Sequence, residues 1–312
     1  MSGISAQAIK ELRERTQAGM SDCKSALVEA EGDMEKAVEI ILKKGLAKSA
    51  KRAGAIATEG EVRAAISGDK RRATMVEVNI QTDFAARNDA FRLFVGEVLA
   101  IAEKAAPEAD LGKESLSGKT VAEAATELTA RIGEKVAVRR WEALQIPPGK
   151  HGLAHAYVHL GGKIGVILSV ETATLAAAAH PEVVKFVDDT AMQIAAMNPI
   201  VLTRGDVSAE KIAKQREIYE GQLREDPKPK PAAAWPKIIE GKLNKWYSEI
   251  ALLEQESVVV PGNTVEKLRE AAGKAAEGAV TITRFVRFER GEGIDKGQQA
   301  DFAAEVAKMA ST

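Results

Sequence analysis

GEVRAAISGDKRRATMVEVNI, residues 60–80, decides the architecture. Val62, Ala64 and Ile66 alternate along one face, Ser67-Gly68-Asp69-Lys70 makes a turn, and Met75, Val76, Val78 and Ile80 continue as a strand. A period of two broken by a turn cluster is a β-hairpin signal. Downstream, Phe91, Phe94, Val95, Val98, Leu99 and Ala102 fall at helical spacing, and Pro107 is expected to close that helix. The pattern returns as GLAHAYVHLGGKIGVILSVET, residues 152–172. Placing Gly60 on Gly152, an offset of 92, aligns the chain without a gap through Pro107 on Pro199. Ala64 meets Ala156, Val78 meets Val170, Thr82 meets Thr174, and Phe94-Val95 meets Phe186-Val187. Duplication of a hairpin-plus-helix unit is the economical explanation.

Outward from this pair the chain is helical. Before it, Ile4, Ala8, Ile9 and Leu12 form one stripe, and Cys23, Ala26, Leu27 and Ala30 a second that ends at Gly32. Asp33 caps a third helix carrying Ala37, Ile40 and Ile41, with Gly45 as its expected stop. The basic segment Lys43 to Arg52 that follows reads as a solvated tether. Residues 204–256 interrupt the second copy. They read as two amphipathic arms around a stiff tip, Asp226-Pro227-Lys228-Pro229-Lys230-Pro231, and the stripe Ile239, Leu243, Trp246 and Ile250 needs a partner. Thr264 to Ala272 reads as a short helix, Val280 to Phe288 as a strand and Asp301 to Met309 as a final helix. The fold class is therefore α+β with antiparallel strands.

Composition narrows the function. Of 312 residues, 45% are hydrophobic and 29% charged, which is globular and sets whole-chain disorder aside. The formal charge of −1 supplies no field that draws the whole chain to nucleic acid or an anionic membrane. The single cysteine, Cys23, excludes an internal disulfide and a cysteine zinc cage. The polar N-terminus is unlike a signal peptide, and without a run of eighteen apolar residues the expected setting is a reducing cytoplasm.

Phosphate-loop, dinucleotide and metalloprotease motifs are all missing from the sequence. His151, His155 and His159 are four apart, but on the strand that the repeat assigns them this spacing is about 13 Å. Nitrogens held about 2.1 Å from one metal cannot come from positions so far apart. No cofactor and no metal are expected.

The informative segment is Thr82-Asp83-Phe84-Ala85-Ala86-Arg87-Asn88, which joins strand to helix. The ordinary reading has Asp83 capping a turn and Phe84 filling the core. The duplicate weakens it: Thr174-Leu175-Ala176-Ala177-Ala178 keeps the threonine and the two alanines and loses the Asp-Phe pair. An acid beside an aromatic at a corner is a suitable intruding wedge for a partner's pocket.

These residues carry a resemblance. Glu11-Leu12-Arg13-Glu14-Arg15-Thr16, Gly19-Met20-Ser21-Asp22-Cys23-Lys24, Thr82-Asp83-Phe84, Ile132-Gly133-Glu134, Tyr157-Val158-His159 with Gly161-Gly162-Lys163-Ile164-Gly165, and Asp301-Phe302-Ala303-Ala304-Glu305-Val306 resemble bacterial elongation factor Ts, in order along essentially the whole chain. The family consists of guanine-nucleotide exchange factors for elongation factor Tu (EF-Tu), without bond-making chemistry. The resemblance implies a ubiquitin-associated-like helical module at 1–52 and a core N subdomain at 53–145. It further implies a core C subdomain at 146–203 and 257–290, a dimerisation-type helical hairpin at 204–256 and a C-terminal module at 291–312. It implies partner contacts at Thr82, Asp83, Phe84 and Ala85, where magnesium on EF-Tu is displaced. Arg13, Met20, Ile132 and His159 are implied as further contacts. EF-Tu, GDP-bound or nucleotide-free, is the implied partner, and a homodimer through 204–256 is left open beside a monomer. Ala85, Arg87 and Ser21 depart from the usual family residues.

Two readings from other classes compete. An RNA-binding translation protein using the 43–52 run would bind with steep salt dependence, against the neutral net charge. A hydrolase using His155 or His159 with Asp83 would turn over without a protein partner, against the missing motifs.

Overall fold

The computed structural model describes residues 4–16, 18–52, 54–228 and 230–295, with the side chains of 45–51 set aside. Three helices, α1 (Ala6–Thr16), α2 (Met20–Glu29) and α3 (Met34–Arg52), close around Leu12, Cys23, Ala26, Leu27, Ala37 and Ile41. Asp33 caps α3, accepting from the Lys36 amide at 3.0 Å. Gly45 does not end that helix. Its backbone runs on to Arg52, so the basic segment is helix and not an extended tether. A helical glycine costs only about 1 kcal/mol against alanine, and α3 packs along a helix of the next unit, which offsets it.

The first repeat holds strands β1 (Glu59–Ile66) and β2 (Arg72–Ile80), the single turn α4 (Asp83–Ala86) and helix α5 (Asp89–Ala102). A two-residue ribbon, β3 (Ser115–Leu116) with β4 (Lys119–Thr120), leads to α6 (Val121–Ile132) and β5 (Ala137–Gln145). α5 ends at Ala102, short of Pro107, where Arg72 donates to the carbonyls of Ala102 (3.2 Å) and Ala105 (2.7 Å). The second repeat holds β6 (His151–His159), β7 (Ile164–Thr172), the turn α7 (Leu175–Ala178) and α8 (Pro181–Met197). The hairpin α9 (Ala209–Arg224) and α10 (Trp235–Ile250) then intervenes before α11 (Val265–Ala275) and β8 (Val280–Glu289) complete the unit. The expected helix at 301–309 lies outside the described residues.

Each repeat is a three-stranded antiparallel sheet, ordered β1-β2-β5 and β6-β7-β8. The repetition extends to irregularities. The ladder slips between Glu77 and Val78 in one sheet and between Ser169 and Val170 in the other. Gly60 (φ +130°) and Gly152 (φ +155°) bring their backbones so near the neighbouring strand that a Cβ would stand 2.1 Å from the carbonyl oxygens of Val78 and Val170. Only glycine fits there. Thr82 and Thr174 cap α4 and α7 through the amides of Ala85 and Ala177. Beyond the inserted hairpin the offset becomes 144: Thr120 and Thr264 cap α6 and α11, and Arg139 and Thr283 are the extra residues at the two bulges.

The two sheets pack face to face through Val62, Ala73, Met75, Leu144, Ala154, Ile167 and Phe288. Contact is close enough that a Cβ on Gly165 would lie 2.5 Å from Val62 Cγ1. α5 and α6 cover the outer face of the first sheet over Val76, Val78, Ile80, Phe91 and Val95. α8 and α11 cover the second over Val166, Leu168, Phe186 and Ile194. Each large apolar side chain buried in these layers contributes about 1.5–3 kcal/mol.

Candidate functional site

The corner after β2 is built from both ends. β2 delivers Ile80 into the core and carries Gln81 and Thr82 past the sheet edge. Thr82 is extended (φ −123°, ψ 155°), and its hydroxyl accepts from the Ala85 amide at 3.2 Å, which starts the single turn. The turn divides its side chains. Ala85 is buried against the helices, while Phe84 is 79% exposed, more than any other large apolar side chain among the described residues. Phe84 therefore does not fill the core, and the ordinary reading of this segment is overturned. Asp83 stands outside too and pairs with Arg87 Nη2 at 3.0 Å.

A carboxylate just beyond α6 holds the corner. Gly133 ends α6 in the left-handed conformation (φ +85°) and turns the chain, so that Glu134 reaches back to Thr82. Glu134 Oε2 accepts from the Thr82 amide at 2.9 Å and Oε1 from its hydroxyl at 2.8 Å. The neighbouring Lys135 amide donates to Gln81 Oε1 at 2.8 Å. Nothing local in the sequence marks this role of Glu134, because hydropathy period carries no information on where a charged side chain after a helix stop will reach.

The other expected contact residues fall around this corner unevenly. Ile132 is half-buried at the end of α6, two residues before the clamp. It lines a cleft with Ala18, Gly19 and Asp22 of the helical module, which puts the start of α2, with Met20 57% exposed, on the other wall. Arg131 Nε donates to the Thr16 carbonyl at 3.2 Å across the same junction. Arg13 stands on the exposed side of α1. His159 belongs to the second repeat, exposed at the end of β6, where Tyr157 stacks on it and shares a 2.9 Å hydrogen bond with its Nδ1. The following turn returns to the corner: Gly162 accepts from the Val62 amide at 2.8 Å, and Gly161 lines one depression with Asp83, Arg87 and Arg290.

The histidines of β6 are spread along the strand. His155 meets Asp188 of α8 at 3.1 Å, and burial lowers its pKa although Asp188 pulls the other way. Among the described residues no group of three His, Cys, Asp or Glu side chains is placed to hold a metal.

Residues 81–292, from the edge of this corner to the turn after β8, match a family model described as Elongation factor TS. Elongation factor Ts of Clostridium perfringens (strain SM101) is 44% identical over 309 residues, spanning 98% of this chain and 99% of that protein. The chain belongs to the elongation factor Ts family. Elongation factor Ts of Symbiobacterium thermophilum is 43% identical, and that of Clostridioides difficile 42% identical, each over 312 residues and 99% of both chains. Membership of the elongation factor Ts family makes this a translation elongation factor, with its place in protein biosynthesis. No helix among the described residues is long and apolar enough to cross a membrane.

Proposed function

We propose that the chain binds EF-Tu carrying GDP and promotes GDP release and exchange for GTP, with the Asp83–Phe84 corner as its working part. The observation that carries this reading is Phe84: an aromatic ring 79% exposed on a turn whose capping residue, Thr82, is held by a hydrogen-bonded carboxylate. A ring left in water contributes nothing to folding, so its burial is available to a partner's pocket as binding energy. Inserted beside the partner's magnesium and phosphate site, ring and acid disturb the charge compensation that retains the diphosphate. GDP then leaves, and GTP displaces the factor. Linkage makes the effect reciprocal, since a factor that weakens nucleotide binding is itself weakened by nucleotide in the same ratio. No bond is made or broken, so the chain acts as an exchange factor in the cytoplasm without acid, base or cofactor of its own.

Within this reading the module at 1–52 contributes Arg13 and Met20, the subdomain at 53–145 the corner Thr82–Ala85 with Ile132, and the subdomain at 146–203 and 257–290 His159. The hairpin at 204–256 and the segment 291–312 complete the proposed division.

The test is release of labelled GDP from EF-Tu with parent and Asp83→Ala/Phe84→Ala chains. The parent is expected to accelerate release. Truncating a central anchor typically costs at least about 2 kcal/mol, so the double variant should lose roughly 30-fold or more of that acceleration. Its thermal unfolding should stay parental, because the second repeat folds with Leu175-Ala176 at these positions. Release at the parental rate would falsify the assignment.

A further inference from the structure

The two repeats also differ at the joint beside the wedge. Applying the offset of 144, Gly133 at the end of α6 corresponds to Glu277, which also adopts a left-handed conformation (φ +52°), and Glu134 corresponds to Gly278. At Gly278 an added Cβ would lie 2.8 Å from the Cβ of Ala173, the residue corresponding to Gln81. The second repeat thus closes this joint by backbone contact, with the Ala173 amide donating to the Ala279 carbonyl at 3.1 Å. The first repeat opens the joint and fills it with side chains, Glu134 reaching Thr82 and Gln81 accepting from the Lys135 amide. Both threonines cap their turns, at 3.2 Å and 3.1 Å, so capping does not require the carboxylate. The copy with the exposed acid and aromatic is also the copy whose cap is clamped.

The clamp has a directional consequence. The Thr82 hydroxyl proton is committed to Glu134 Oε1, which leaves an oxygen lone pair facing the Ala85 amide. The Thr82 amide is held by Oε2 of the same carboxylate, so both the backbone and the side chain of the residue before the wedge are fixed. A charge-assisted bidentate contact is stronger and more directional than a neutral one. The same turn of chain joins the helical module, through Arg131 to the Thr16 carbonyl, and the connection that follows it, through Lys135 Nζ to the Ala55 carbonyl at 3.0 Å.

We propose that Glu134 is a positioning residue for exchange: it sets the angle at which Asp83 and Phe84 leave the sheet and registers the corner against the helical module. This rests on the exchange reading above. A partner pocket that must be entered by one ring discriminates sharply on its angle, since small misplacements of a reacting constellation lose large factors in rate.

The experiment is the concentration dependence of GDP release from EF-Tu, using full chains carrying Glu134→Ala, Glu134→Gln, Phe84→Ala, and Phe84→Ala with Glu134→Ala. Glu134→Ala should lower the maximal release rate about tenfold, while the half-saturating concentration moves by less than about threefold. Glu134→Gln should recover part of the loss, because its amide oxygen still accepts from the Thr82 amide. In the Phe84→Ala background Glu134→Ala should cost much less than it does alone, since there is no ring left to aim. A parental maximal rate for Glu134→Ala beside an impaired Phe84→Ala overturns the positioning role and leaves the exchange reading standing. A parental rate for Phe84→Ala overturns the exchange reading and this inference with it. Losses that multiply across the pair mark general destabilisation and overturn the positioning role. If Glu134→Ala does not fold, Glu134→Asp, which shortens the clamp and leaves the Thr82 hydroxyl free to cap the Ala85 amide, takes its place in the same cycle. There the expected loss is about threefold, again shrinking in the Phe84→Ala background.

Discussion

Glu77 is a charge with no exposed surface, lying between the two sheets. It accepts from the Gly291 amide at 2.8 Å, Asn79 Nδ2 at 3.0 Å, Arg139 Nη1 at 3.0 Å and Arg140 Nε at 2.6 Å. In the second repeat the corresponding pair is neutral, Ser169 with Thr283 at 2.7 Å. Burial pushes the Glu77 carboxyl up, but the Gly291 amide, Arg140 and Asn79 outweigh it, and the net direction is down. A carboxyl with a depressed folded pKa adds stability above its unfolded value of about 4.3 and loses it as pH falls through the folded one. Glu77→Gln is therefore expected to cost about 2 kcal/mol at pH 7, the worth of charged hydrogen bonds. The gap to the parent should narrow as the pH is taken below about 4. Urea unfolding at pH 7, 5 and 3 checks this; a gap that stays constant or widens on acidification contradicts it. Sequence showed Glu77 only as a polar residue in an apolar strand. Three of its four partners lie 62, 63 and 214 residues away, and no local pattern spans that separation.

At the scale of elements, legibility followed locality. The hairpins, α5, α8 and the hairpin arms were readable because alternation, turn residues and helical stripes sit within a few residues of one another. The repeat was readable because its close-approach glycines, Gly60 and Gly152, and its capping threonines persist in sequence. α6 and β5 were not separately read: β5 is an edge strand with a charged middle, Arg139-Arg140-Trp141-Glu142, whose burial depends on the other sheet and on Glu77. Gly45 reads locally as a stop, and α3 runs through it because its support, α6, is a tertiary neighbour. In the corner, the wedge residues were legible by contrast between copies, while the clamp was not. These contacts bear on removal of residues 1–52. The module has its own core around Leu12 and Leu27, and the sheets have theirs. Deletion should leave one cooperative unfolding transition, lowered by a few degrees for the uncovered face of α6, since about 1 kcal/mol moves a domain of this size by roughly 2–4 °C. Binding to EF-Tu should weaken in parallel. Calorimetry decides, and absence of a cooperative transition would make the module part of the core fold.

On the scale of the whole molecule, the question is what covers the hairpin. Burial is internal: Leu223 on α9 meets Ile239 and Leu243 on α10, each at most 5% exposed, with Tyr219, Trp235, Ile238, Trp246 and Tyr247 packed around them. The hairpin is also tied down at its base. Arg204 makes a two-pronged contact with Glu254 at 2.7 and 2.6 Å and lies over the Tyr247 ring at 4.9 Å, while the Ile250 carbonyl accepts from Ile200 at 2.9 Å. Three of the four residues of the stripe that needed a partner therefore find neighbours on the chain's own arms. The larger apolar residue left outward on α9, Ile218 at 46% exposure, is isolated among charged neighbours. A specific interface needs roughly 800 Å² per partner with an apolar, desolvated centre, and side chains already buried within the hairpin cannot contribute that area a second time. The expected state is a monomer. Sedimentation equilibrium over a wide concentration range should give a single mass near 33.3 kDa. Twice that mass at every concentration would require the arms to open and repack against a second chain, and would overturn the intramolecular account of the stripe.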